Sequence, residues 1–206
     1  MTTSVPPTRL RRLTKPVRFG RRLLRLPPRV AWFYIRARFK AWRIADDAPQ
    51  GALRPDDLAV LLALAEGRRE VVELGISKAW TAMSLALAQD DRRVVTYDPA
   101  VQHVRERYVG LVSRSVRERV RFVDQPGERG PQSDPTVVDF LFIDSSHERE
   151  ATVREYAAWQ PVLAADAVVV FDDYGHPDFP GVEQAVQDLG LHGQRTGFLF
   201  IHRRDG

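Results

Sequence analysis

Five short apolar runs constrain this chain more than any other feature: EVVELG (70–75), RVVTYD (93–98), RVRFVD (119–124), VVDFLFID (137–144) and AVVVFDD (167–173). Each has the length of a strand and is rich in Val, Phe or Ile, and helix-like stretches at 78–89, 100–116, 147–160 and 181–189 lie between most of them. Strands that are apolar throughout must be covered on both faces, and intervening helices supply the cover. The pattern therefore predicts an α/β fold, a Rossmann-like doubly wound and mainly parallel sheet. A further helix is expected ahead of the first strand, where Arg54-Pro55-Asp56-Asp57 precedes Leu58, Leu61, Leu62 and Ala65 and Gly67 closes the run. The connection Gln125 to Thr136, rich in Pro and Gly, has room for no more than a short helical turn, and the tail LHGQRTGFLFIHRR reads as a hairpin around Gly197.

Four of the five strands end in acids: Asp98, Asp124, Asp144, and Asp172 with Asp173. Ligands of open α/β sheets bind beyond the carboxyl ends of the strands, so these carboxylates should meet at one crevice. A single acid at a strand end is ordinarily a cap, but a set spread over four strands marks a site. The first strand instead carries Glu73 near its end and runs into Gly75, where the absence of a side chain lets backbone approach a ligand ahead of a helix N-terminus. Neither GxGxxG nor GK[ST] is present, which turns the reading away from dinucleotide oxidoreductases and phosphate-loop enzymes.

The chain has no cysteine, so any metal must sit on oxygen or imidazole. Charge is unevenly placed. Residues 1–45 hold 13 of the 31 Lys and Arg and no acid, leaving 18 bases against 27 acids in residues 46–206. A basic helical arm, 1–45, is thus expected ahead of a domain at 46–206, with prolines keeping residues 1–28 irregular and an amphipathic helix at about 29–44. On that helix Arg29, Arg36, Lys40 and Arg43 share one face, while Trp32, Ile35, Phe39 and Trp42 form a neighbouring apolar stripe. The stripe is read first as packing on the domain or on a twin subunit in a homodimer; peripheral contact with an anionic membrane is the alternative, and nucleic acid ranks last because the body is acidic. The N-terminus lacks a signal-peptide pattern, and no apolar run is long enough to span a bilayer. The expected compartment is the cytoplasm, with residues 29–44 leaving a peripheral membrane location open.

The turn Glu73-Leu74-Gly75-Ile76-Ser77, with Asp98 ending the second strand, resembles motif I and the ribose-binding acid of class I S-adenosylmethionine-dependent methyltransferases. The segment VDFLFIDSSHEREATVREYAAWQPVLAADAVVVFDDYGHPDFPGVEQAV is similar to the small bacterial methyltransferase domain 24 type and, more distantly, to catechol and macrocin O-methyltransferases. The likeness covers about residues 54–203. It implies that Gly75, Ile76 and Ser77 border the methionine part of the cofactor, that Thr81 bonds its carboxylate, and that Glu73 lies beneath, bonded to backbone N–H groups or the methionine amine. Asp98 would accept both ribose hydroxyls, and Asp124 with Gln125 would lie near the adenine. Ala79 departs from the family, which usually has a second glycine there.

The resemblance further implies a Mg²⁺ site on Asp144, Asp172 and Asp173, oxygen ligands suited to a hard cation, although many domain 24 members carry histidine at position 172. It places His147 where the catechol type has its catalytic lysine, so Asp144 and His147 are the catalytic candidates, with Ser146 and His176 as weaker ones. Ser145 and Glu148 also spell a capping box at a helix start. The implied activity is methyl transfer to a hydroxyl of a small molecule or glycan. Against it stand a non-catalytic binding or membrane-associated scaffold and a metal-free methyltransferase acting on nitrogen or carbon.

Overall fold

The computed structural model describes residues 20, 22–49, 51–100, 103–132 and 137–204. The five apolar runs form β1 (Glu70–Leu74), β2 (Arg93–Tyr97), β3 (Val120–Val123), β4 (Val138–Ile143) and β5 (Leu163–Phe171). The tail forms β6 (Gln194–Thr196) and β7 (Leu199–Arg203), paired antiparallel around Gly197 as expected. The sheet order is β3-β2-β1-β4-β5-β7-β6. β1 to β5 run parallel, and β7 returns antiparallel against β5. This is the doubly wound, mainly parallel sheet read from the sequence. Because the order reverses between β1 and β4, the carboxyl ends of those two strands flank the crevice where such sheets hold ligands.

Helices cover both faces. On one side lie α1 (Pro28–Arg43), α2 (Pro55–Leu64) and α3 (Trp80–Ala88). Residues 80–87 of α3 are all buried, since this helix is enclosed by the sheet and by α1. Short α4 (Arg105–Val109) and α5 (Arg114–Arg117) stand where one stretch over 100–116 was expected. Gly110 favours interruption there, and Ser113 favours a new start. On the other face, α6 (Arg149–Trp159) and α7 (Pro180–Asp188) close over Leu74, Tyr97, Phe171 and Phe200. Trp159 is buried and donates its indole N–H to the Gly127 carbonyl at 2.8 Å, which pins the single helical turn Gly127–Arg129 in the Pro- and Gly-rich connection.

The helix expected at about 29–44 spans Pro28–Arg43, but its buried face is not the aromatic stripe singled out in the sequence. Val30, Phe33, Tyr34, Ala37 and Ala41 face the domain, while Trp32, Ile35, Phe39 and Trp42 point outward. The small Ala37 and Ala41 let the α1 backbone come close to α3, and Phe33 and Tyr34 set their rings against Trp80 at 6.4 and 5.0 Å between centroids. The expected irregularity of residues 1–28 falls mostly outside the described residues. Sequence reading also passed over Arg92, a buried cation at the amino end of β2. It donates to the carbonyls of Arg68, Leu85 and Ala65 and to the Gln89 side chain, and so staples α2, α3 and β1 together.

Candidate active site

Gly75 leaves β1 with φ +99°, and a Cβ built on it would lie 1.8 Å from the carbonyl oxygen of Asp144. The glycine thus lets the ends of β1 and β4 close together, tied by the Asp144 N–H donating to Leu74 at 2.8 Å. Beyond it the turn has two further residues with positive φ, Ser77 (43°) and Ala79 (63°). Ala79 therefore adopts the backbone for which the family usually has glycine, and its side chain is buried.

Asp98 closes the same turn. Its Oδ2 accepts the N–H groups of Ile76 and Ser77, each at 3.1 Å, and its Oδ1 accepts Ala100 N–H at 2.8 Å. A carboxylate offers about four lone-pair positions, so this aspartate holds the Gly75–Ser77 turn in addition to any role toward a ribose. Glu73 also differs from expectation. It lies within β1 in register with Thr96 of β2, whose hydroxyl donates to Glu73 Oε2 at 2.6 Å. The neighbouring backbone amides are taken by the sheet. Burial, opposed by the Thr96 hydrogen bond and reinforced by the charges of Asp144 and Asp98, pushes its carboxyl up from 4.5 to about 8. Glu73 and Thr81 line a small recess together with Ile76 and Asp144.

An open cavity of about 610 Å³ lies beyond the strand ends, bounded by Gly75, Ser77, Asp98, Gly127, Asp144 and His147. Asp124 and Gln125 do not line it; the next residues, Pro126 and Gly127, do. Asp124 is half exposed with Arg105 Nη2 at 3.5 Å, and the buried Gln125 Oε1 has no hydrogen-bond partner. A second cavity of about 380 Å³ holds Asp172, Asp173, His176, Phe179 and Phe198 and shares Gly51, Asp144 and His147 with the first. Asp144 and His147 therefore stand where the two cavities meet.

His147 Nε2 lies 3.2 Å from Asp144 Oδ1 and 3.3 Å from Asp173 Oδ2, so the imidazole bridges two of the three expected magnesium ligands. Among the described residues no three His, Asp or Glu side chains are arranged to hold a metal ion. The oxygens have the right chemistry for Mg²⁺, but with the imidazole between Asp144 and Asp173 the expected ligand set is not assembled. Both His147 (φ 60°) and Asp173 (φ 56°) have left-handed backbone, a strained state that packing must enforce. Phe179 stacks on the His147 ring at 4.7 Å, and Gly181 at the start of α7 is so close that a Cβ would meet the His147 carbonyl at 2.6 Å. Burial disfavours the imidazolium, yet the hydrogen bond to Asp144 and the charges of Asp144, Asp173 and Glu155 prevail and raise its pKa. Asp144 is itself raised, chiefly by desolvation, and Asp172 is raised well above the ordinary range by desolvation and by the charges of Asp144 and Asp173.

The expected capping box does not form. Helix α6 begins at Arg149, and the Ser145 hydroxyl donates instead to Glu155 at 2.5 Å, while exposed Ser146 accepts the Glu148 N–H at 3.5 Å. Glu155 is a site residue that sequence reading missed. It is buried, lines the larger cavity, and has its pKa raised by desolvation. Its signal was present: an acid within the stripe Thr152, Glu155, Tyr156, Trp159, all on the buried face of α6. Gly51, Phe179 and Phe198 were missed as well, since only folding brings them to the crevice.

A methyltransferase domain family model (Methyltransf_24) matches residues 72–174, half of the chain. No curated protein matches the sequence. Among solved structures, the O-methyltransferase TomG from Streptomyces achromogenes, in complex with SAM, is 17% identical with a TM-score of 0.61, over 81% of this chain and 86% of that one. Cofactor-bound Rv0187 from MTB is 22% identical with a TM-score of 0.60, over 75% and 83%. An O-methyltransferase from Bacillus cereus in complex with SAH is 13% identical with a TM-score of 0.63, over 84% and 90%. At these identities the likeness establishes the shared fold, and the family match runs from within β1 to the loop after β5. The chain belongs to the methyltransferase domain family, and is a class I S-adenosylmethionine-dependent methyltransferase.

Proposed function

We propose that the protein transfers the methyl group of S-adenosylmethionine to a hydroxyl of a small molecule or glycan, with the Asp144–His147 pair managing the acceptor proton. The observation that carries this reading is the position of that pair, shared by the larger cavity on the Gly75 and Asp98 side and the smaller one on the Phe179 and Phe198 side. The larger cavity suits the cofactor and the smaller an acceptor. Similarity to TomG and to the Bacillus cereus enzyme, both O-methyltransferases by name, points to oxygen as the nucleophile.

When bound, S-adenosylmethionine supplies an electrophilic methyl on a sulfonium sulfur. The chain's own residues then have three tasks. Gly75 and the Ile76–Ser77 turn, held by Asp98, border the methionine portion. Phe179 and Phe198 with the segment Gly51–Arg54 enclose the acceptor. His147, relieved of its proton, accepts that of the acceptor hydroxyl, while Asp144 and Asp173 stabilise the resulting imidazolium at 3.2 and 3.3 Å. Mg²⁺ dependence is a second reading, favoured by one observation: three crowded carboxylates, two of them with raised pKa, would gain from a cation. It requires His147 to leave its place between Asp144 and Asp173.

Calorimetric titration with S-adenosylhomocysteine, with and without Mg²⁺, tests the cofactor and the cation together. One-to-one binding unchanged by Mg²⁺ is the expected result, and a magnesium-dependent heat would favour the second reading. No binding in either condition refutes the assignment of the larger cavity. Paired acceptors that differ only in bearing a hydroxyl or an amine, followed by release of S-adenosylhomocysteine, test the nucleophile; turnover of amines alone would refute O-methylation.

A further inference from the structure

Helix α1 has two apolar faces, and the domain uses one. At about 100° per residue, Val30, Phe33, Tyr34, Ala37 and Ala41 fall on the side turned to the domain, and Trp32, Ile35, Phe39 and Trp42 occupy an arc of about 80° on the opposite side. Their exposures are 63, 45, 57 and 76%, although large apolar side chains clustered on one face are ordinarily covered. Phe39 and Trp42 lie ring to ring at 5.8 Å, and Trp32, Ile35 and Phe39 with Leu111 frame a groove of about 270 Å³. One flank of the strip carries Arg43, Arg36, Arg29 and Lys40, and the other carries Arg38. There is no acid on α1. Arg29 pairs with Asp90 at 2.7 Å and Arg36 donates to the Leu111 carbonyl at 2.9 Å, which leaves Lys40 and Arg43 beside the aromatics without a partner among the described residues.

We infer that this face of α1 docks on an anionic lipid bilayer, the helix lying in the plane of the interface with Trp32, Phe39 and Trp42 among the headgroups and upper acyl chains. An apolar strip rich in tryptophan and bordered by bases is the composition that such interfacial helices need. Anionic lipid headgroups complement Lys40 and Arg43, and the 13 bases and no acids of residues 1–45 extend the same field. The acidic remainder of the chain is repelled by the same surface, which orients the molecule arm first. Among the described residues no helix is long and apolar enough to cross a membrane, so the contact is peripheral. A second copy fits this face less well. A two-fold contact would set the basic flank of one helix beside that of the other with no acid on α1 to pair with it. Nucleic acid would use the flank and leave the strip uncovered unless bases stacked on it.

Flotation of the full chain with phosphatidylcholine vesicles, with and without about one third phosphatidylglycerol, tests the inference. Binding should require the anionic lipid, weaken with salt, and shift tryptophan fluorescence to the blue, the other two tryptophans, Trp80 and Trp159, being buried already. The variant Trp32→Ser/Phe39→Ser/Trp42→Ser should lose partitioning on the order of a hundredfold with its circular dichroism unchanged, and Lys40→Glu/Arg43→Glu should lose it for anionic vesicles. If the triple variant floats as well as the wild type, the basic arm alone drives association and the inference fails. It fails too if the wild type binds no vesicle but is a dimer by light scattering that the triple variant turns into a monomer, or if it binds single-stranded nucleic acid in place of vesicles.

Discussion

Replacing Glu73 by glutamine should remove a pH dependence of stability that this one carboxyl creates. Glu73 is 1% exposed, enclosed by β2 and β4, with the Thr96 hydroxyl as its hydrogen-bond donor at 2.6 Å. Its pKa rises from 4.5 in the unfolded chain to about 8 in the folded one, mainly through burial. Between those values the folded protein holds a proton that the unfolded chain has released, so stability falls as pH rises through the window. One unit corresponds to about 1.4 kcal/mol, and integration from pH 5 to 8 gives a loss of about 3 kcal/mol, large beside the roughly 5–15 kcal/mol that holds a domain together. Glutamine can accept the Thr96 hydrogen bond and never needs to ionise. Urea denaturation of both proteins at pH 5, 6, 7 and 8 should show the variant gaining about 3 kcal/mol on the wild type across the series. Asp172 and Glu155, also raised, contribute slopes of the same sign to both proteins and drop out of the difference. Parallel curves would refute the reasoning, because they would mean that Glu73 is charged and compensated in the folded state.

Gly75→Ala should destabilise the domain by about 3 kcal/mol or more and abolish S-adenosylhomocysteine binding, since a Cβ would meet the Asp144 carbonyl at 1.8 Å with φ at +99°; an unchanged thermal midpoint would refute the close approach. His147→Gln should reduce turnover by about 10²- to 10⁴-fold with cofactor affinity retained. Because Asp144 and Asp173 raise the His147 pKa, wild-type activity should climb with pH through that raised value as the base form appears, and Asp173→Asn should move the climb to lower pH, which a pH–rate profile checks.

The chain alone determined the sheet. Runs such as VVDFLFID and AVVVFDD are apolar without alternation, and only a strand covered on both faces satisfies them, so the strands and their parallel sense were legible; of the acids expected at one crevice, Asp98 and Asp144 line the larger cavity, Asp144, Asp172 and Asp173 the smaller, and Asp124 neither. Gly75 was legible for a similar reason, a glycine being required where the chain turns sharply between a strand and a helix. What touches what inside that crevice depended on tertiary contacts. Glu73 bonds Thr96 because the β1–β2 register sets them side by side. His147 bridges Asp144 and Asp173 because α7, through Phe179 and Gly181, packs on its loop and holds it in a left-handed backbone. Ser145 turns from its expected cap to Glu155 because α6 brings a buried carboxylate within reach. The aromatic stripe of α1 shows the division most directly. Periodicity located one apolar stripe on the helix, but the face that meets the domain followed from shape: the alanines of another face allow contact with α3, and the tryptophans of the stripe remain outside, free to meet a different surface.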